Sequence, residues 1–221
     1  MIDLSLYLVA SRGNLDDESF LNLVKSAIKG GVSVVQLREK ALNSREFYTL
    51  ALRLKGLCDE FQTPLIINDR MDIALAINAA GVHLGQEDLP VSVARTLLGE
   101  DKIIGLSAKT LSQLENTSGA DYVGCGAVFK SPTKDSSIIG VAGLNALCEK
   151  SKLPVVAIGG ICTANIALLK SCKIAGVAVS SAILNAPNPY QASLALKQAL
   201  PNALHKGVRF YILSLWVAFA G

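Results

Sequence analysis

Short apolar runs alternate along this chain with longer amphipathic segments. The runs at 4–10, 32–37, 65–67, 82–84, 103–106, 122–125, 155–158 and 177–179 are bounded by turn residues and predict strands. Between them, apolar positions at helical spacing predict helices over 15–29, 44–60, about 69–80, 91–98, 110–117, 144–150, 163–172 and 190–199. Acids fall in the first turn of the first helix, Ser44 stands where an N-cap of the second is expected, and Gly81 stops the third. Strands alternating with helices imply a parallel sheet. Eight such units at nearly even spacing imply an α/β fold, a single (β/α)8 TIM barrel over residues 1–200. The alternative, an open doubly wound sheet, predicts a glycine-rich dinucleotide turn after the first strand, and Ala10-Ser11-Arg12-Gly13-Asn14 is not one.

Composition narrows the picture. Of the 221 residues 51% are hydrophobic and only 5% aromatic, so the apolar mass is aliphatic, as in buried parallel strands covered by helices. A net charge of +3 without a run of basic residues argues against nucleic acid as a partner. Five cysteines, an odd number without a C-x-x-C pair, and two histidines disfavour a zinc site and read as reduced thiols in a cytoplasmic protein. The N-terminal residues lack the basic and apolar regions of a signal peptide. Residues 201–221 form an apolar C-terminal extension of unknown role; its run 210–221 is shorter than the ~20 residues of a membrane span. The expected partners are small molecules, with homo-oligomers left open.

Barrel enzymes carry their chemistry at the C-terminal ends of the strands, so polar residues there should form one site. The second strand runs into Gln36-Leu37-Arg38-Glu39-Lys40, and alternation places Gln36, Arg38 and Lys40 on one side. Surface ion pairing with Glu39 is the plainer alternative. Asn68-Asp69 ends the third strand and Gly85-Gln86-Glu87-Asp88 follows the fourth. Asp69 and Asp88 on adjacent strands could share a magnesium ion, Mg2+, or could each cap the next helix. Ser107 ends the fifth strand, with capping again the alternative. Ser131-Pro132-Thr133-Lys134 follows the sixth and suits a phosphate or an ordinary turn. Gly159-Gly160 and Ser180-Ser181 end the last two strands, where barrel phosphate sites commonly lie and where 181–184 could form a short helix. No Ser-His-Asp triad is legible, and His83, inside an apolar run, reads as a satisfied core residue.

Taken together, QLREK at 36–40, ND at 68–69, GVHLGQED at 81–88, GLSAKT at 105–110, DYVGCGAVFKSPTK at 121–134, AIGGI at 157–161 and VAVSSAI at 177–183 resemble the thiamine phosphate synthase family. The resemblance covers about residues 6–200 in order. It implies a transferase that joins a hydroxymethylpyrimidine diphosphate to a thiazole phosphate and releases pyrophosphate. It further implies that Gln36, Arg38, Lys40, Asn68, Ser107 and Lys134 hold the pyrimidine diphosphate, with Glu39 beside them. Arg38, Lys40, Ser107 and Lys134 carry the catalytic roles in this scheme. Asp69 and Asp88 hold magnesium, and Ser131, Pro132, Thr133, Gly160, Ser180 and Ser181 surround the thiazole phosphate. The family's reaction is regarded as dissociative, with a pyrimidine cation preceding capture. The chain departs from the pattern at Lys109, where a histidine is common, at Cys162, where a small hydroxyl residue is usual, and at Ser131, where threonine is common. A related thiazole tautomerase and a non-catalytic phosphate-binding barrel are the competing readings.

Overall fold

A computed structural model describes residues 2–130 and 137–200. Eight parallel strands close into a barrel in sequence order: β1 (Leu6–Ala10), β2 (Val34–Leu37), β3 (Leu65–Asn68), β4 (Gly81–Leu84), β5 (Ile103–Ala108), β6 (Tyr122–Cys125), β7 (Val155–Ile158) and β8 (Gly176–Val179). β8 pairs with β1 through Leu6 and Val177, which completes the ring. Helices α1 (Asp17–Lys29), α2 (Ser44–Glu60), α3 (Met71–Ala76), α4 (Val91–Leu98), α5 (Leu111–Leu114), α6 (Gly140–Lys150), α7 (Ser181–Leu184) and α8 (Pro189–Ala199) return the chain outside it. The single (β/α)8 barrel expected from the pattern is what the chain forms.

The period-two pattern sorts the strand side chains into two cores. Tyr7, Val9, Val34, Ile66, Tyr122, Val156 and Ala178 pack inside the barrel. Their neighbours Leu6, Leu8, Val35, Leu37, Leu65 and Ile67 face outward, under helix residues such as Phe20, Val24, Phe47 and Leu54. Burying a side chain such as Leu54 or Phe47 contributes about 1.5–3 kcal/mol before entropy is counted.

Several boundaries differ from expectation. Asn43, not Ser44, caps α2: its side chain accepts from the Glu46 amide at 3.0 Å while Glu46 accepts from the Asn43 amide at 3.2 Å. The helix expected to about residue 80 ends at Ala76, because Asn78 turns left-handed (φ 52°) and the Ala80 amide pairs with Leu65 O as the chain enters β4. Only Leu111–Leu114 forms of the helix expected over 110–117. In place of a helix over 163–172 there is a single 3₁₀ turn, Ile166–Leu169. Asn165 accepts from the Cys162 amide at 2.9 Å and donates to Gly160 O at 2.8 Å, which offers the backbone a local alternative to the helix. Among the described residues no helix is long and apolar enough to cross a membrane. The apolar extension proposed for 201–221 lies outside the described residues.

Candidate active site

The C-terminal ends of the strands surround a cavity of about 500 Å³. Arg38, Ser107, Lys109, Gly160, Ser180 and Ser181 are among its lining residues. Gln36, the last inward position of β2, is 4% exposed and donates from Nε2 to Tyr7 Oη at 2.9 Å. Beyond the strand the alternation continues as expected: Arg38 lines the cavity, Lys40 reaches Asp69, and Glu39 turns the other way. Glu39 accepts from the Arg12 amide at 2.5 Å, tying the loop after β2 to the loop after β1.

β3 and β4 bring the two aspartates together. Asp69 follows Asn68 in a left-handed conformation (φ 61°), with its amide donating to His83 O at 2.9 Å. An aspartate tolerates this region better than most residues, and its use here aims the carboxylate across the strand ends. Asp69 pairs with Lys40 and lies against Asp88. Burial raises the Asp69 carboxyl, but the bond from Lys40 and the contact with Asp88 together hold it below the usual range. Asp88 moves up, first because of burial and then because Asp69 stands beside it; a bond from the Gly85 amide at 2.6 Å opposes this. Neither aspartate caps a helix. The N-cap positions of α3 and α4 are Arg70 and Pro90, without a side-chain bond, and Thr110 rather than Ser107 caps α5. The capping alternatives for Asp69, Asp88 and Ser107 therefore do not occur.

The opposite rim is built by β7 and β8. In a closed ring of eight strands in sequence order, these stand across from β3 and β4. Gly160 adopts φ 64°, and a Cβ there would stand 2.7 Å from Phe129 O and closer still to Lys130 O. Glycine therefore lets the loop after β6 lie directly on the loop after β7. Ser180 precedes the short α7 at 181–184, as expected. Ser131, Pro132, Thr133 and Lys134 lie outside the described residues.

His83 is bonded at both ring nitrogens, as a satisfied core histidine should be: Nδ1 lies 3.0 Å from Tyr122 Oη and Nε2 3.0 Å from Ser107 Oγ. Burial pushes its pKa down to about 4. Tyr7 and Tyr122 share their hydroxyls at 2.8 Å. Sequence reasoning missed these two tyrosines as members of the site's floor. The available signal was their inward register, Tyr7 alternating with Val9 and Tyr122 with Gly124. It also left Lys109, Ser11 and Asn185 out of the cavity wall.

Basic side chains and a carboxyl pair on one rim, with a glycine turn and paired serines opposite, complete a (β/α)8 barrel whose polar side chains gather at the C-terminal ends of the strands. A family model described as thiamine monophosphate synthase matches residues 6–183. A thiamine-phosphate synthase of Campylobacter jejuni is 55% identical over 199 residues, 90% of this chain and 95% of that protein. One from Methanobrevibacter smithii is 48% identical over 195 residues, 87% of this chain and 93% of that protein. The solved thiamine phosphate pyrophosphorylase of Pyrococcus furiosus superposes with a TM-score of 0.81 at 33% identity, covering 94% of this chain and 98% of that one. The chain belongs to the thiamine monophosphate synthase family.

Proposed function

We propose that this chain is a transferase that joins a hydroxymethylpyrimidine diphosphate to a thiazole phosphate, or its carboxylated form, giving thiamine phosphate and pyrophosphate. The observation that carries the reading is a barrel mouth with two opposed rims, Lys40 with Asp69 and Asp88 at one and Gly160 with Ser180 and Ser181, which line the cavity, at the other. A thiazole tautomerase has no use for the first rim.

The thiazole nitrogen attacks the pyrimidine methylene carbon through its lone pair. An N–C bond forms, the C–O bond to diphosphate breaks, and the electron pair leaves with pyrophosphate. No proton has to be removed first, which suits a site without an evident general base among the described residues. Arg38, Lys40 and Lys134 stabilise the charge gathering on the leaving group. Ser107 donates to the same group, Gln36 and Asn68 orient the pyrimidine, and the serine and glycine rim fixes the thiazole phosphate with Ser131 and Thr133.

Asp69 and Asp88 suit magnesium. They are hard oxygen donors packed against each other, with Asp88 raised by burial and then by the neighbouring Asp69, and magnesium favours one or two carboxylates completed by water and phosphate oxygens. Bound there, the ion supplies Lewis-acid stabilisation of the departing diphosphate. Incubation of the protein with both substrates and magnesium, read by mass spectrometry, should give thiamine phosphate. A folded protein that gives none refutes the proposal.

A further inference from the structure

Five inward side chains, each from a different strand, form a continuous hydrogen-bonded line beneath the mouth. It runs from Gln36 Nε2 to Tyr7 Oη (2.9 Å), to Tyr122 Oη (2.8 Å), to His83 Nδ1 (3.0 Å), and from His83 Nε2 to Ser107 Oγ (3.0 Å). We propose that this line is polarised in one direction, so that His83 is held as the Nε2–H tautomer and acts as a positioning residue that leaves the Ser107 hydroxyl hydrogen free for an anion in the mouth. The tautomer stands independently of the activity; its consequence for turnover rests on the function proposed above.

The number of hydrogens along the line fixes its direction. Each tyrosine hydroxyl has one to give, and a neutral imidazole has one donor and one acceptor nitrogen. Gln36 donates to Tyr7, so Tyr7 has its own hydrogen for Tyr122. Tyr122 then gives its hydrogen to His83 Nδ1, and the ring proton sits on Nε2, facing Ser107. Ser107 Oγ accepts this bond and keeps its hydrogen for the cavity it lines beside Arg38 and Lys109. The opposite direction would turn the Gln36 amide over and spend the Ser107 hydrogen on His83. An anion drawn in by Arg38 and Lys109 would then meet only oxygen lone pairs at Ser107. A doubly protonated His83 fits neither direction, because Tyr122 would accept from both Tyr7 and Nδ1 and keep a hydrogen without a partner.

The barrel wall is shaped to keep the line in place. A Cβ on Gly105 would stand 2.5 Å from His83 Nδ1, and one on Gly124 3.1 Å from His83 Cε1. The imidazole occupies the space left by these two absent side chains. Gln86 adds a bond from Nε2 to Ser107 O at 2.6 Å, fixing the backbone that carries the hydroxyl.

The test is nitrogen NMR of the full chain labelled in histidine, which has only two, His83 and His205, assigned with His205→Gln. The expected His83 spectrum is a protonated Nε2 and an unprotonated Nδ1, unchanged from pH 8 to pH 5.5 and on adding inorganic pyrophosphate with magnesium. A protonated Nδ1, an averaged pair, or titration near the ordinary histidine value overturns the proposal. Tyr122→Phe should release the ring to mixed tautomers, and Ser107→Ala, which leaves the Tyr122 bond to Nδ1 in place, should keep Nε2 protonated, while circular dichroism stays barrel-like in both. In the synthase assay Tyr122→Phe should lower kcat about tenfold with KM for thiazole phosphate within about twofold. Added to Ser107→Ala it should cost nothing further, because it acts through that hydroxyl. Equal cost in both backgrounds would reduce Tyr122 to a structural residue. A wild-type protein with the predicted spectrum and no synthase activity would refute the proposed function and leave the tautomer assignment intact.

Discussion

Gly105→Ala is a severe test of how the inner barrel is packed. Gly105 sits on β5 between His83 of β4 and Tyr122 of β6, in register with both. The added methyl would stand 2.5 Å from His83 Nδ1 and nearer still to Tyr122 Cζ and Oη. Tyr122 is 1% exposed and anchored by two hydrogen bonds, so neither ring has somewhere to go. Overpacking of this kind costs about 1–3 kcal/mol, and separating His83 from Tyr122 strands a buried acceptor at about 1–3 kcal/mol more. The expected loss is therefore about 2–6 kcal/mol, or a fall in melting temperature of roughly 4–24 °C for a domain of this size. Two companion variants calibrate it. Gly124→Ala places its methyl 3.1 Å from His83 Cε1, a contact relieved by a few tenths of an ångström, and should cost about 1 kcal/mol or less. Gly56→Ala, within α2 and with nothing within 4 Å, should stabilise by about 0.5–1 kcal/mol. Urea unfolding followed by circular dichroism reads all three. A Gly105→Ala midpoint indistinguishable from that of Gly124→Ala would refute the packing described for the barrel floor.

Other expectations follow from the site. Asp88→Ala loses one bond to the Gly85 amide, so it should fold with a stability loss of about 1 kcal/mol while magnesium-dependent turnover falls roughly a hundredfold or more; wild-type turnover would remove Asp88 from the metal site. His83 stays neutral in the fold because burial pushes it down to about 4 from 6.5, so the unfolded chain binds a proton first as pH falls. Stability that His83 leaves intact above pH 6.5 is lost progressively down to about pH 4, and by pH 5 the loss is about 2 kcal/mol. Denaturant midpoints at pH 7.5 and 5 should therefore converge in His83→Gln relative to wild type, and an unchanged gap would contradict the buried neutral ring. Gly160→Ala meets the Phe129 and Lys130 carbonyls, so it should weaken thiazole phosphate binding about tenfold or more in calorimetry, with diphosphate binding affected less; equal losses would detach Gly160 from the phosphate rim.

Most of the architecture was legible because its signals are local. Apolar strand runs and the spacing of amphipathic segments depend on neighbours in sequence, and all eight strands fall where that pattern puts them. Strand ends were harder. Asn68 and Ser107 belong to β3 and β5, although polar residues look like the start of a loop; each stands opposite a residue of the next strand, Asn68 opposite His83 and Ser107 opposite Gly124, a pairing no local rule supplies. Helix ends were lost to Asn78 and Asn165, whose turn conformations depend on neighbouring strands and loops. At the site, alternation through Gln36, Arg38 and Lys40 indicated the right faces, and the acid pair Asp69–Asp88 followed from adjacent strands. The buried line was beyond reach, because Tyr7 and Tyr122 meet only when the ring closes and are 115 positions apart.

The proposed transfer is decided by pyrophosphate release from the full chain given hydroxymethylpyrimidine diphosphate, thiazole phosphate and magnesium, with each omitted in turn. Release should equal the thiamine phosphate formed and should fall away when any one of the three is left out. Pyrophosphate released without thiazole phosphate at the full rate, or no release from a folded protein, would contradict it.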